Sequence, residues 1–269
     1  MDTKICFITA IYGTYESTCK KFIEQTIPTD FICFTDNPKI LSNGWIIDTT
    51  PYHLENKSPI DTDNYINSLS NNKHSFNKTK YYKQAFKNIP RLKQYDVIIW
   101  LDGTIEITNP ETSEWLTGKI YTHKVIGWNH EWRNGILVGE VLESRELERY
   151  NSTFWNNQAQ PFQDVVGQYN SYIDDGFDNL YFRNKYPEHK PFGVWITCFV
   201  AFLNNDEFVT KFLNNWYLQT LKYTTEDQIG FPYICQKMDF APYTLPDNEI
   251  QGLEPHIKTD FYTKYEHGM

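Results

Sequence analysis

The chain has 269 residues, enough for one large domain or two small ones with a sizeable core in either case. Its 25 Lys and Arg against 34 Asp and Glu give a net charge of −9, and no basic run is long enough to follow a phosphate backbone, which disfavours a nucleic-acid partner. The five cysteines are widely spaced, with no CxxC pair and no Cys/His cluster of zinc type, and read as reduced thiols of a cytoplasmic protein.

The amino terminus, "MDTKICFITA", enters a strand at once and lacks the pattern of a signal peptide. No apolar run approaches the ~20 residues needed to cross a bilayer. "KICFITAIYG" reads as a buried first strand, "STCKKFIEQT" as a short helix, "DFICFTD" as a second strand and "GWIIDTT" as a third. That alternation predicts a mostly parallel sheet with helices on its faces. The polar stretch from Pro51 to about Ser75 reads as a long loop or lid, and "FNKTKYYKQAFKNI" as a helix stopped by Pro90.

"YDVIIWLDGTIEI" follows, an apolar run broken by a carboxylate, a glycine and a hydroxyl. Its β-branched and aromatic core reads as a strand buried on both faces. Asp102 then stands where the strand leaves the sheet. Two readings are open: an Asp-Gly hairpin turn, or a site, since a carboxylate beside such a run is costly unless paired, hydrogen-bonded or bound to a cation.

In the second half, "THKVIGWNH" reads as a strand ending at His130, "ILVGEVLESRELERY" and "DEFVTKFLNNWYLQTL" as helices, "FGVWITCFVAFLNN" as a strand, and "TEDQIGFPYICQKM" as a helix with an acidic start. The economical expectation is a single α/β domain over residues 1–269, working at the carboxyl ends of its strands. Those ends deliver Thr9, Tyr12 and Gly13, then Thr35, Asp36 and Asn37, then Asp102, which suggests a shared cleft, although turn chemistry alone can generate each. Aromatics, at 17%, suit a protein that stacks sugars or bases, and equally suit core filling.

In order, "FITAIYGTY", "CFTDNP", "NKTKYYKQAFKNIPRLKQYDVIIWLDGTIEI", "GWNHEWR" and "TTEDQIGFPYICQK" resemble the blocks of the DUF616 family of glycosyltransferase-like proteins, over roughly residues 4 to 240. Residues from about Val138 to Trp195 match poorly. The resemblance implies a GT-A, Rossmann-like fold with a central, mostly parallel sheet flanked by helices. It also implies transfer of a hexose or deoxyhexose from a nucleotide-sugar donor, expected to be a UDP-sugar, to a glycan hydroxyl, with inversion.

In such enzymes a carboxylate at the end of a central strand holds Mn²⁺ or Mg²⁺ against the donor diphosphate, and Asp102 matches that position. The usual Asp-x-Asp is "DGT" here, so the second carboxylate is missing, and Thr104 offers only a hydroxyl. His256 is the late metal-ligand candidate, or a lone surface histidine. Asn77, Lys80 and Lys83 match the family's basic helix, with Lys80 expected on donor phosphate and a solvated face as the plain alternative. Thr9, Tyr12 and Asp36 are expected around base and ribose, Tyr12 by stacking.

Asp227, paired with Gln228 at the donor, is expected to be the base that takes the acceptor proton, or else a helix-start residue. His130 and Arg133 match the family's His-x-x-Arg and are expected on donor sugar or pyrophosphate. Trp128, Trp132 and Trp195 are candidate sugar platforms or core. Two other readings stay open: a sugar-binding module without turnover, and a glycoside hydrolase, which needs two carboxylates across one bond.

Overall fold

Two short runs, "ICFITAI" and "VIIWL", decide the architecture, because every residue in them is buried. A strand with both faces covered has no use for alternation, hence the continuous apolar sequence. The computed structural model describes residues 3–55, 75–155, 158–160, 162–245 and 261–265. Its strands are β1 (Ile5–Ile11), β2 (Thr29–Thr35), β3 (Ile46–Asp48), β4 (Val97–Leu101), β5 (Ile105–Ile107), β6 (Val125–Asn129), β7 (Phe154–Trp155), β8 (Gln158–Ala159), β9 (Trp195–Leu203), β10 (Tyr243–Leu245) and β11 (Tyr262–Lys264). The helices are α1 (Tyr52–Glu55), α2 (Ser75–Gln84), α3 (Thr112–His123), α4 (Leu137–Glu146), α5 (Glu148–Asn151), α6 (Val165–Asp174), α7 (Tyr181–Lys185), α8 (Glu207–Lys222) and α9 (Asp227–Lys237).

Seven strands form one sheet in the order β10-β6-β9-β4-β1-β2-β3. Its β3-β2-β1-β4 part is parallel throughout, with the strand order of one half of a doubly wound, Rossmann-like sheet. β9 enters antiparallel between β4 and β6. Cys6, Ile8, Ala10, Ile98 and Trp100 pack on one face with α2, α8 and α9, while Ile5, Phe7, Val97 and Ile99 pack on the other with α3 and with Cys19, Ile40 and Trp45. This is the α/β architecture expected from the sequence, a mostly parallel sheet flanked by helices. No helix among the described residues is long and apolar enough to cross a membrane.

Some local expectations fail for identifiable reasons. The segment "STCKKFIEQT" is not helical: the Cys19 and Ile23 amides donate to the Leu41 and Ile107 carbonyls, at 2.9 and 3.0 Å, and Phe22 stacks on Phe31. Long-range pairing there outweighs local propensity. α2 ends at Gln84, before Pro90, which instead opens a 3₁₀ turn over Pro90–Gln94. The helix expected from Ile136 breaks at Leu147 into α4 and α5.

The Asp-Gly pair does not make a hairpin either. β5 leaves the sheet after Asp102-Gly103-Thr104 and pairs antiparallel with β11, in the register Ile105 to Lys264. The turn therefore opens the carboxyl edge of the sheet instead of closing it.

Gly135 fixes a second loop at that edge. Its φ is +73°, and a Cβ there would overlap the Phe192 carbonyl oxygen. Gly135→Ala is expected to cost of order 1–3 kcal/mol, read as a lowered denaturation midpoint; an unchanged midpoint would show that the loop carrying His130 to Arg133 can relocate freely.

Candidate active site

The carboxyl ends of β1 and β4, the start of β9 and the start of α9 enclose a cavity of about 190 Å³. It lies where the chain path moves from β1 outward to β2 on one side and to β4 on the other, the place where open α/β sheets bind ligands. Beneath it is a buried charge cluster. Lys83 Nζ lies 2.7 Å from Asp227 Oδ2, and Lys80 Nζ lies 3.1 Å from the same oxygen. Thr197 Oγ1 accepts from Lys83 at 3.1 Å and donates to Asp227 Oδ1 at 2.9 Å. Lys83 is also 3.7 Å from Asp102 Oδ1, which accepts from Trp100 Nε1 at 2.7 Å.

Burial sorts these groups. The side chains of Lys83 and Asp227 are only 2% and 3% exposed, whereas Asp102 keeps 40% and lines the cavity. Burial alone would raise both carboxylates, but Lys83 and Lys80 outweigh it and hold Asp102 and Asp227 below the ordinary range. Burial likewise works against the Lys83 ammonium, yet Asp102 and Asp227 keep its pKa raised. At Lys80 burial wins, aided by Lys83, and its pKa is lowered despite Asp227.

The loop leading into α9 is fastened from below. Gln163 Oε1 accepts from the Thr225 amide and hydroxyl, Gln168 Oε1 accepts from the Thr224 hydroxyl at 2.6 Å, and Trp216 Nε1 donates to the Asp227 carbonyl at 2.7 Å. These contacts hold the helix start, with its positive dipole end, against the cavity. Glu226 caps α9 by accepting from the Gln228 amide at 3.3 Å. Its Oε2 accepts from the Tyr150 hydroxyl and from Arg149 at 3.2 Å.

A second cavity, of about 620 Å³, adjoins the first and shares Arg149, Ile196, Glu226, Gln228 and Lys264 with it. Arg133 spans part of its wall, with Nε 2.6 Å from Glu140 and Nη2 2.5 Å from Glu143. Burial, with Glu226 nearby, raises the Glu140 carboxyl although Arg133 opposes this.

Of the residues singled out in the sequence, Tyr12, Lys80, Asp102, Asp227 and Gln228 line the first cavity, and His130, Arg133 and Gln228 the second. Several positions differ from expectation. Thr9 is buried within β1 and lines neither cavity. Tyr12 is buried with its ring stacked on Tyr82 and edge-on to His53, so it offers no open face to a base. Asp36 also lies outside both cavities and accepts from the Gly13 amide at 3.1 Å, a turn contact. His130 and Arg133 are in the second cavity, not beside Lys80. Asp227, expected as a base, is buried, with Lys83 and Lys80 on its Oδ2 and the Thr197 hydroxyl on its Oδ1. Asn77 is on α2 with its side chain outside the described residues, and His256 lies outside them altogether.

Lys83, expected only as part of the basic helix, is the buried centre of the cluster. Arg149, Tyr150 and Thr197 fall in the stretch without clear blocks or in a plain strand, and nothing local marked them. Lys264, which lines both cavities and has no ion pair among the described residues, reaches the site only because β11 pairs with β5.

No group of three or more His, Cys, Asp or Glu that could hold a metal occurs among the described residues. Asp102 alone offers an open hard-oxygen ligand at the strand end. That fits Mg²⁺ or Mn²⁺ only in the manner of sites completed by substrate phosphates and water.

The two imidazoles give a pH prediction. Burial pushes His53 and His130 down to about 4, with Lys78 adding at the first and Arg133 at the second. The unfolded chain takes protons near pH 6.5 that the folded chain refuses until about pH 4. Stability is therefore complete above the first value and falls as pH drops toward the second. Melting temperatures followed downward from neutral pH check this; a flat profile through mildly acidic pH would contradict it.

No protein-family model matches the chain, and no curated protein matches it. Among solved structures, it is similar to the apo structure of WbbM, a bifunctional glycosyltransferase, with 8% sequence identity and a TM-score of 0.46, over 92% of this chain and 39% of that one. The chain thus spans about two fifths of that protein's length.

Proposed function

We propose that this protein is a glycosyltransferase that moves a sugar from a nucleotide-diphosphate donor, most simply a UDP-sugar, to a hydroxyl of a glycan. One observation carries the reading: an open carboxylate, Asp102, and a lysine pair anchored by Asp227 meet under a cavity at the carboxyl edge of a Rossmann-like sheet. The block resemblance from "FITAIYGTY" to "TTEDQIGFPY" points the same way through the same residues, Lys80, Asp102 and Asp227. A sugar-binding module without turnover would share the cavity but release no nucleotide.

The donor diphosphate belongs in the smaller cavity, against Lys80, Lys264 and the start of α9, where fixed positive groups meet the charge that develops as it leaves. A divalent cation held by Asp102 and the diphosphate would add Lewis-acid stabilisation of that leaving group. The acceptor oxygen attacks the anomeric carbon, the bond from that carbon to the diphosphate oxygen breaks with its electron pair leaving on the diphosphate, and the acceptor proton passes to a base.

Glu226 is the carboxylate common to both cavities among the described residues, so it lies where a hydroxyl from one side can meet a sugar from the other. Its Oε2 is held by Tyr150 and Arg149, while Oε1 has only the 3.3 Å amide contact and is the oxygen to receive the proton. Asp227 positions Lys80 and Lys83.

Thermal-shift binding against UDP-, GDP-, dTDP- and CMP-sugars, each with Mn²⁺ and with EDTA, tests the donor assignment. One nucleotide class should raise the melting temperature, more with the cation than without. No shift with any donor would remove the reading.

A further inference from the structure

We infer that the larger cavity is the acceptor subsite and that it takes a neutral saccharide whose apolar face lies on the indole of Trp132. The inference rests on the transferase reading above and gives its acceptor a chemical class.

Trp132 is 87% exposed, the most exposed large hydrophobic side chain among the described residues, and it lines this cavity. A lone exposed aromatic is ordinary on a protein surface, but this one stands on a fastened turn. The 3₁₀ turn Glu131–Arg133 follows β6 directly, its last residue is clamped to Glu140 and Glu143 on α4, and the chain then passes through Asn134 in the left-handed region. Trp132 is thus presented by a rigid support, with the His130 ring 6.3 Å away.

A second observation points to a ligand. Asn129, at the end of β6, is buried, lines the same cavity, and its Oδ1 has no hydrogen-bond partner among the described residues. A buried amide oxygen without a donor is costly. A hydroxyl-rich guest, with a small rotation of the side chain, would satisfy it.

Charge selects the guest. Arg133 is matched by Glu140 and Glu143, and Arg149 by Glu226, so the arginines of this cavity are already neutralised. Glu131 adds a further carboxylate, and Lys264 is shared with the donor cavity. An anionic acceptor would meet carboxylates here, whereas a neutral sugar finds hydrogen-bonding groups and an aromatic face. The shared wall of Glu226 and Gln228 places such a sugar's hydroxyl next to the donor cavity.

Saturation-transfer NMR with a panel of neutral mono- and disaccharides, on the full chain saturated with UDP, tests this. Wild-type protein should bind at least one saccharide. Trp132→Ala should weaken that binding by about tenfold, and Trp132→Tyr should restore most of it. Asn129→Ala should weaken it separately. Saccharide affinity unchanged in Trp132→Ala, or no neutral saccharide bound by wild-type protein, would overturn the assignment. So would a loss of UDP-sugar affinity in Trp132→Ala, because the cavity would then hold the donor sugar. Failure of every nucleotide sugar to shift the melting temperature would instead strike the transferase reading, so the two failures are separable.

Discussion

Glu226→Gln is expected to lower sugar transfer by ~10² to 10⁴, the usual worth of a general base, with donor affinity changed only a few-fold. The amide keeps the size of the side chain, and its one oxygen can still accept from Tyr150 and Arg149, so the site wall persists, while the weak 3.3 Å cap contact that Oε1 accepts from the Gln228 amide is given up. What it loses is the capacity to take a proton. A fall in turnover with intact donor binding, measured by separating rate from donor affinity, identifies the base. Turnover at the wild-type rate would exclude Glu226. A drop that appears in Asp227→Asn with no loss of stability and none in Glu226→Gln would return the role to Asp227.

Lys83→Met is expected to destabilise the fold by about 3–5 kcal/mol, because removing one member of a buried ionic group leaves its partner uncompensated. Asp227 would keep Lys80, but its nearer cation, at 2.7 Å, would be gone, and Thr197 would lose a donor. Adding Asp227→Asn to Lys83→Met should recover part of the loss, since the stranded charge disappears, and the double-mutant cycle measures the coupling. Chemical denaturation of the three variants reads both effects. Losses that simply add would show that the two side chains do not act as a unit. Lys80→Met should differ: Lys80 lines the cavity and is less buried, so donor affinity should fall more than stability.

How much of this was legible in the sequence depends on the range of the interactions. β1 and β4 were legible because burial on both faces leaves an unbroken apolar run that needs no alignment to see. α8 and α9 were legible because their starts are polar and their interiors apolar. The segment from Ser17 to Thr26 was not, because its hydrogen bonds go to Leu41 and Ile107, far along the chain, and helix-compatible composition says nothing about that.

The site divides in the same way. Asp102 stood out because a carboxylate ended a buried strand, and Lys80 only through the resemblance of its helix to the family's basic helix. The balance within the cluster was hidden: Lys83 and Asp227 are 144 positions apart, and only the packing of α2 against α8 and β9 against α9 makes one the buried partner of the other. Asp227 was a base candidate through the resemblance alone, and nothing local announced the two ammoniums on one of its oxygens. Lys264 joined the site through a strand pairing that no local pattern announced.

Under the proposed function, this edge of the sheet transfers a sugar from a nucleotide to a glycan hydroxyl. The most direct test incubates the purified full chain with a nucleotide sugar that shifts its melting temperature and with a neutral saccharide acceptor, in the presence of Mg²⁺ or Mn²⁺, and follows both products by mass spectrometry. Glycosylated acceptor and free nucleoside diphosphate should form in equal amounts, both abolished or strongly reduced in Glu226→Gln. Donor binding with neither product, across acceptors that bind the larger cavity, would contradict it and leave a sugar-nucleotide-binding module.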